Sequence, residues 1–554
     1  MSEEEAPKGK RKRVRRLVIG LVAFVAVVTL LRVTWGIYAN GRLLAVVEDI
    51  RDRGEPLEWT ELEPPAVPDE RNAAVFYRRA VEIPLLQARE DDYGGFCLED
   101  GTTGGLDQDR LRRLYVLNDM VGYCVLVHYP EFRREHADDL RQILEEARPA
   151  LDLVRQARGM EADYGMDFSG PAVSAFLEVS FTRELARLLC NAAVAAQDQR
   201  RDGEAVEYMR DALALGDSLQ QEPTLISPLI AIWCDSLTSS ALEALTHSLR
   251  IGPAASDARP EQVKALIEHL LNDEPRRMGF HRAFLGERST QYDTMERVRA
   301  GEFSISGLSG MGGTESEPSK TLTAARNLAI GPLLTNDQAT LLRYTSSYVD
   351  ASKAHDRPEW SRLRRASPEA RETERKMGGS AWFKWTHPLT NILAPSLDRA
   401  AELHFRSLAA RRLAATGLAI RMYELDHGRR PEKLADLVPR YLPKVPIDPF
   451  DAKPLKYRPD LSKPVLYSVA DDGVDDRGER DIFGEEDDDY GHDESGDLLF
   501  YLNGERPRPE CDWENPLAPS GPTTMPGPPA SRRSPSSTTA SGSRATAPSP
   551  ASPD

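Results

Sequence analysis

The densest group of residues with metal-binding chemistry lies near the carboxy-terminal end, between two apolar runs. Five aspartates fall between residues 471 and 481: Asp471, Asp472, Asp475, Asp476 and Asp481. Carboxylates at this spacing repel one another unless a cation or water screens their charge. Calcium binds through about six to eight oxygen ligands, so the loop suits it. A solvated acidic loop has the same composition, and spacing alone leaves both interpretations open.

A second group of polar residues would suit acid–base chemistry. His281, Arg282, Glu287 and Arg288 lie on one predicted helix, where they could line the cleft of a hydrolase. A helix face that carries ion pairs has the same pattern. The sequence contains no HExxH, GxSxG or phosphate-binding loop motif. We therefore predict no catalytic or cofactor-binding residues and no enzyme, and we keep a hydrolase as the alternative.

The acidic loop must be held by the elements around it. Upstream, residues at three- and four-residue steps predict one buried helix face: Phe405, Ala409, Leu413, Thr416, Ile420 and Tyr423. Arg411 and Arg412 fall on the flanks of this stripe. Gly428 and Pro431 follow it and should end the helix. Three apolar runs, 455–458, 465–469 and 498–502, then predict a short antiparallel sheet.

This region, about residues 395–502, resembles the soluble domain of the major pseudopilin of type II secretion systems. Six short matches carry the resemblance: Tyr423 with Gly428 and Pro431; Asp448-Pro449-Phe450; Pro454 with Tyr457; Leu466-Tyr467-Ser468; Asp472-Gly473; and Asp481-Ile482. The resemblance implies a small α+β domain, delimited here as residues 395–510. It also implies that calcium binds in the last loop.

The same resemblance assigns the candidate metal ligands. Asp472 and Asp481 occupy matched positions, and Asp475 and Asp476 lie inside the matched loop. The family's usual Gly-Asn is replaced by residues 451–453, and no prepilin cleavage motif or hydrophobic helix directly precedes the domain. We therefore expect a domain homologue with a binding or scaffolding role rather than a pilus subunit. A genuine secretion-system component is a further alternative.

The amino-terminal sequence predicts a membrane anchor. Residues 1–16 are basic, and the apolar run 17–38 would form a helix about 33 Å long, enough to cross a bilayer. The basic segment should stay in the cytoplasm. This places the bulk of the chain in the periplasm of a bacterium, anchored once in the inner membrane. A signal peptide cleaved after Ala39 is the competing interpretation. Residues 39–70 would form a stalk and linker.

Helical periodicity dominates residues 71–394 and predicts an all-α body. Residues 172–197 and 205–219 form a predicted helical hairpin that weakly resembles a tetratricopeptide repeat; generic helix hairpins fit equally. Trp382, Phe383 and Trp385 are expected to pack into this body. The Gly-rich segment 301–320 should be a flexible loop. The Pro/Ser/Thr-rich tail, 511–554, should be disordered.

The composition agrees with a mainly α protein. The net charge of −17 argues against a nucleic-acid-binding surface, because phosphate groups are bound by basic side chains. Cys190 and Cys234 lie in apolar helical stretches and are predicted to be buried thiols. A Cys97–Cys124 disulfide stays open. The predicted partners are the membrane and envelope proteins whose identity the sequence does not give.

Overall fold

A computed structural model describes residues 8–91, 95–122, 133–134, 136–172, 179–300, 302, 320–353, 368–482 and 496–506. The Gly-rich loop, apart from Glu302 and Lys320, and the tail 511–554 lie outside these residues. So do Cys124 and the first seven residues. The described residues belong to one compact unit.

The chain begins with one long helix, α1 (Lys8–Asp52). Among the described residues it is the helix long and apolar enough to cross a membrane, and none of its most apolar window is buried. Its carboxy-terminal part differs. Leu43, Val46, Val47 and Ile50 recur at helical spacing and are buried against other helices. The predicted apolar helix is therefore present, and it continues without a break into the packed body.

A small sheet interrupts the first part of the body. Helices α2 (Ala73–Val81) and α3 (Pro84–Gln87) lead into strand β1 (Ala88–Glu90), which pairs antiparallel with β2 (Phe96–Leu98). Helices α4 (Gln108–Gly122) and α5 (Ala137–Ala157) follow. The prediction of an all-α body is wrong here. The two strands, three residues each, are too short to show alternation in the sequence.

The centre of the body is a series of packed helices: α6 (Ser180–Asp198), α7 (Asp202–Ser218), α8 (Ile226–Thr246) and α9 (Pro260–Leu271). Helices α6 and α7 pack against each other. Ala205, Met209 and Ala212 on α7 are fully buried. Cys190 and Cys234 are buried thiols, as predicted.

Two long helices join this series to the amino-terminal helix. They are α10 (Glu274–Ala300) and α11 (Lys320–Ser352). Helix α11 packs along α1 in a parallel sense, since Arg42 bonds to Asn336 and Arg53 to Asp350. Three short helices follow: α12 (Pro368–Gly379), α13 (Ala381–Thr386) and α14 (Pro388–Leu393).

The carboxy-terminal region has the predicted helix and three strands. Helix α15 (Pro395–His427) ends at Gly428, whose φ of 70° is the left-handed conformation that closes a helix. Strands β3 (Lys456–Arg458), β4 (Val465–Ser468) and β5 (Leu498–Tyr501) form an antiparallel sheet in the order β3-β4-β5. Alternate residues Val465, Tyr467, Leu499 and Tyr501 cluster on one face of it.

Helix α15 is buried on more than one face, which corrects the predicted stripe. The stripe residues from Phe405 to Ile420 are buried, but so are Leu408, Ala414, Leu418 and both arginines expected on its flanks. A helix that is covered all round lies inside a larger body. Helices α8 and α9 of the body pack against α15, so the sheet is attached to the helical body through this shared helix.

Buried charges hold that junction together. Asp235 on α8 accepts hydrogen bonds from Arg276 Nε (2.7 Å), from Arg411 Nη1 (2.9 Å) and from Ser407 Oγ (2.9 Å). Arg411 also donates to the carbonyl of His269 (2.7 Å). Arg276 in turn contacts Asp217, whose carboxylate lies 2.6 Å from His269 Nε2. The paired arginines hold the pKa of Asp235 far below its usual value although burial opposes this.

Candidate functional site

The acidic loop follows β4 and turns sharply. Ala470, Gly473, Arg477 and Gly478 all have positive φ, between 50° and 71°. Aspartate side chains support these turns by accepting backbone hydrogen bonds. Asp472 Oδ1 accepts from Val474 N (2.8 Å), and Asp475 Oδ1 accepts from Arg477 N (3.0 Å). The backbone of the loop is therefore shaped in part by the residues predicted to bind metal.

A sixth aspartate, which the sequence analysis missed, lies at the centre of this loop. Asp497 is 0% exposed, immediately before β5. Its Oδ2 accepts a hydrogen bond from Gly478 N (2.8 Å), whereas its Oδ1 is buried and has no hydrogen-bond partner among the described residues. Burial, with the charges of Asp475 and Asp476, raises the pKa of Asp497 to about 6, although the backbone N–H groups of Gly478 and Asp476 oppose the rise.

The predicted ligands divide into two groups. Asp475 and Asp476 lie close enough to Asp497 to perturb it, and Asp472 Oδ2 accepts from Gly496 N (3.4 Å), next to Asp497. Asp481 instead forms an ion pair with Arg506, which also binds Glu243 on α8. Its charge is thus neutralised by the protein. Among the described residues no group of three or more His, Cys, Asp or Glu side chains has metal-binding geometry.

Asp497 could have been recognised from the sequence, but not from the spacing of the aspartates within residues 471–481. The predicted ligands end at residue 481, and residues 482–496 separate them from Asp497. The pairing of β4 with β5 brings the two segments together, since Ser468 is opposite Leu498. An aspartate that directly precedes an apolar strand could have been recognised as a loop-facing residue once that pairing was assumed.

The Asp-Pro-aromatic turn has a structural role that spacing did not reveal. Asp448 is fully buried, and its Oδ1 accepts from Phe450 N (2.9 Å) and Ser468 Oγ (2.8 Å). Its Oδ2 accepts from Val469 N (2.9 Å). Burial raises the pKa of this carboxyl, and the three donors oppose the rise. Asp448 therefore fastens the turn to the end of β4, directly before the acidic loop.

The residues considered for hydrolysis have separate surroundings. His281 Nδ1 lies 2.7 Å from Ser352 Oγ, and Glu287 accepts a hydrogen bond from Gln291 Nε2 (3.2 Å). His281 and Glu287 are six positions apart in the helix, which places them about 120° apart around α10. Arg288 is buried and pairs with Glu55 (2.6 Å). The four residues do not converge on one cleft.

A cavity of about 260 Å³ lies between α8, α15 and β5. Its charged walls include Glu243, Arg399, Arg406 and Arg506. Arg506 binds Glu243, Arg406 binds Asp471 (2.7 Å), and Arg399 binds Glu402. Because protein groups already pair these charges, we interpret the cavity as a polar gap between the sheet and the body rather than as a site whose charges are available to a ligand.

No protein-family model, no curated protein and no solved structure matches this chain.

Proposed function

We propose that this protein is a membrane-anchored protein of the bacterial envelope, with most of its mass in the periplasm. The observation that carries the proposal is the contrast within α1. Large apolar residues from Leu17 to Leu31 are exposed, whereas Leu43 to Ile50 are packed into the body. An apolar helix that its own protein leaves uncovered needs another apolar environment, and a bilayer supplies it.

The charge distribution sets the proposed orientation. Basic residues cluster before residue 17, and positively charged segments stay on the cytoplasmic side of a bacterial inner membrane. The body follows the helix and therefore lies on the opposite side. Because α1 runs unbroken into the packed body, the anchor would hold the body close to the membrane surface.

The proposed role is binding or scaffolding, with the carboxy-terminal α+β region as a pseudopilin-like module. Support comes from the predicted helix and three strands, and from Asp448, a residue of the matched Asp-Pro-aromatic turn that fastens this turn to β4. Residues 395–510 would then present a compact surface beside the helical body.

We further propose that calcium orders the loop after β4. The supporting observation is the buried, unpartnered Oδ1 of Asp497, next to Asp475 and Asp476. A buried carboxylate oxygen without a donor is costly unless a cation compensates it. Asp472, Asp475, Asp476 and Asp497 would hold the ion together with loop carbonyls, and the ion would neutralise their mutual repulsion. Its role is structural.

The topology is tested with reporters fused after Asp554 in the full chain. Alkaline phosphatase folds only outside the cytoplasm, so we expect an active phosphatase fusion and a dark green-fluorescent-protein fusion. A matched fusion that lacks residues 17–38 should reverse both results. An inactive phosphatase with a bright fluorescent fusion would reject the proposed location. The intact mass of the membrane-extracted protein then distinguishes an anchor from a signal peptide cleaved after Ala39.

A further inference from the structure

The short helix α13 presents two aromatic side chains outward, contrary to expectation. Trp382 and Trp385 are 72% and 65% exposed, with ring centroids 5.4 Å apart. Phe383 and Thr386, on the adjoining side of the helix, are buried. The expected burial of the three aromatics therefore holds for Phe383 alone. Two adjacent exposed tryptophans are unusual on a surface that contacts only water.

These tryptophans lie close to the carboxy-terminal end of the membrane-spanning segment proposed for α1. Trp35 and Tyr38 on α1 line the same cavity, of about 700 Å³, as Trp382 and Phe383. Trp35 and Tyr38 are themselves exposed. Tryptophan and tyrosine concentrate at the headgroup level of a bilayer. The exposed face of α13 is thus continuous with the interfacial end of the anchor.

The cavity behind the tryptophans is positively charged. It is lined by Arg42, Arg343 and Lys376, against one carboxylate, Glu372. Lys376 and Glu372 pair with each other (3.3 Å), and Arg42 bonds to Asn336. Arg343 has no hydrogen-bond or carboxylate partner among the described residues. A half-buried guanidinium in a cationic cavity is suited to a phosphate group, which it can bind through two donors.

We propose that α13 is a second membrane contact, in which Trp382 and Trp385 enter the headgroup layer and the cavity behind them binds the phosphate of a phospholipid headgroup. The proposal rests on the proposed membrane anchor, because α1 must bring this surface to the bilayer. It adds a lipid-binding site and fixes which side of the body faces the membrane.

The membrane contact is tested by fluorescence quenching in the full-length protein. The chain is reconstituted into vesicles of phosphatidylcholine and phosphatidylglycerol whose acyl chains carry bromine near the headgroup. We expect the W382F/W385F double variant to lose roughly half or more of the quenched emission, because tryptophans at the interface lie within reach of bromine. The matched control is W233F. Trp233 lies on α8 rather than on α1 or α13, and the guanidinium of Arg187 lies over its ring.

The outcomes separate the two proposals. If W35F reduces quenching but W382F/W385F does not, the anchor stands and the second contact is rejected. If neither variant changes quenching, the anchor itself is rejected. If the tryptophans instead pack against a second copy of the chain, they should stay unquenched. The wild type should then be a dimer and the W382F/W385F variant a monomer. That result would also overturn the lipid contact.

The headgroup site is tested by counting bound lipid. Full-length protein in detergent is titrated with phosphatidylglycerol, and native mass spectrometry measures retention. We expect R343Q to weaken retention roughly tenfold, as a lost charge-assisted hydrogen bond does. R440Q removes an equal charge at an exposed site and should retain the lipid. Equal retention of the lipid by R343Q, or competition by diacylglycerol but not by inorganic phosphate, would reject a phosphate site. Full competition by inorganic phosphate alone would show that the lipid chains are not needed, and it would reject a lipid as the ligand.

Discussion

At the scale of single residues, the chain concentrates its unusual chemistry in buried carboxylates. Asp235, Asp337, Asp448 and Asp497 are all fully buried, but their surroundings differ. Asp235 is paired with two arginines, and Asp448 accepts three hydrogen bonds. Asp497 is left with one oxygen that nothing in the described chain satisfies. Burial without compensation is costly, so the proposed calcium site depends most on this residue.

The proposed calcium site predicts that one substitution has opposite effects on stability with and without calcium. In wild type, calcium at about a hundredfold excess over its Kd should raise the free energy of unfolding by about 3 kcal/mol. Asp497→Asn should abolish this gain, because the amide lacks the charge that calcium requires. Without calcium the same variant should be at least as stable as wild type, since a repelled buried charge is removed. Thermal melting of the full chain in detergent measures both effects.

A control variant sharpens this test. Asp460→Asn removes an exposed carboxylate that pairs with Arg458 on β3, outside the acidic loop. It should keep the full calcium response. If Asp497→Asn responds to calcium as wild type does, the ion is bound elsewhere or not at all. Asp481→Asn should also keep most of the response, because Asp481 is paired with Arg506.

Asp337 predicts a stability that depends on pH. Its carboxylate accepts hydrogen bonds from Leu389 N (2.9 Å) and Thr390 N (3.2 Å), and so caps the start of α14. Burial raises its pKa from 3.8 to about 6. A raised pKa means that the folded state binds the proton more tightly. This contribution to stability is complete below about pH 4 and is lost as the pH rises to about 6.

The expected size of this loss is about 3 kcal/mol, from a pKa difference of roughly two units. Urea unfolding of the full chain in detergent, at steps from pH 4 to pH 7, should therefore show the advantage of wild type over Asp337→Asn shrinking as the pH rises. A difference that stays constant, or grows, would show that Asp337 titrates normally in the folded protein.

At the scale of elements, one glycine decides how the sheet meets its helix. A Cβ atom at Gly417 of α15 would lie 2.6 Å from Phe500 Cε1 on β5. Elsewhere in a helix, replacing glycine by alanine stabilises by up to about 1 kcal/mol. Here the contact should reverse the sign, because Phe500 is buried and overpacking costs about 1–3 kcal/mol.

Gly417→Ala should therefore lower the stability of the protein in chemical denaturation, and Phe500→Leu combined with it should restore part of the loss. Rescue by the smaller side chain separates a steric clash from a general effect of alanine. Greater stability of Gly417→Ala alone would mean that Phe500 moves aside freely and that β5 is not seated on α15 at this point.

At the scale of the whole molecule, the helical body and the carboxy-terminal sheet share α15 and the buried network around Asp235. This junction predicts that the two parts unfold together. Asp235→Ala would leave Arg411 buried without a carboxylate partner among the described residues and Arg276 with Asp217 alone, which costs about 3–5 kcal/mol. We expect one cooperative transition in wild type, and in the variant a large loss of stability measured on both parts.

The matched control is Glu432→Ala, which breaks an exposed pair with Arg429. Exposed pairs contribute little, so its unfolding midpoint should shift by no more than the equivalent of about 1 kcal/mol. If Asp235→Ala destabilises the sheet region while the helical body keeps its stability, or the reverse, the two parts are independent and the network does not couple them.

The sequence by itself determined the local elements of this protein. Apolar length predicted the apolar segment of α1, and helical spacing with Gly428 and Pro431 predicted the end of α15. Two alternating runs and one apolar run, 498–502, predicted the strands of its sheet. These features follow from neighbours along the chain, where the periods of helix and strand are visible. The assignments of calcium, of the pseudopilin relationship and of a periplasmic location stay predictions.

Only the tertiary structure decided which polar residues are buried and what they meet. Arg411 was expected on a flank and lies at 0% exposure beside Asp235, 176 residues away, while Trp382 was expected inside and lies on the surface. Asp497 joins the acidic loop only because β5 pairs with β4. Burial and charge compensation arise from contacts between segments that are distant in the sequence. The periodicity of residues along the chain does not reveal these contacts.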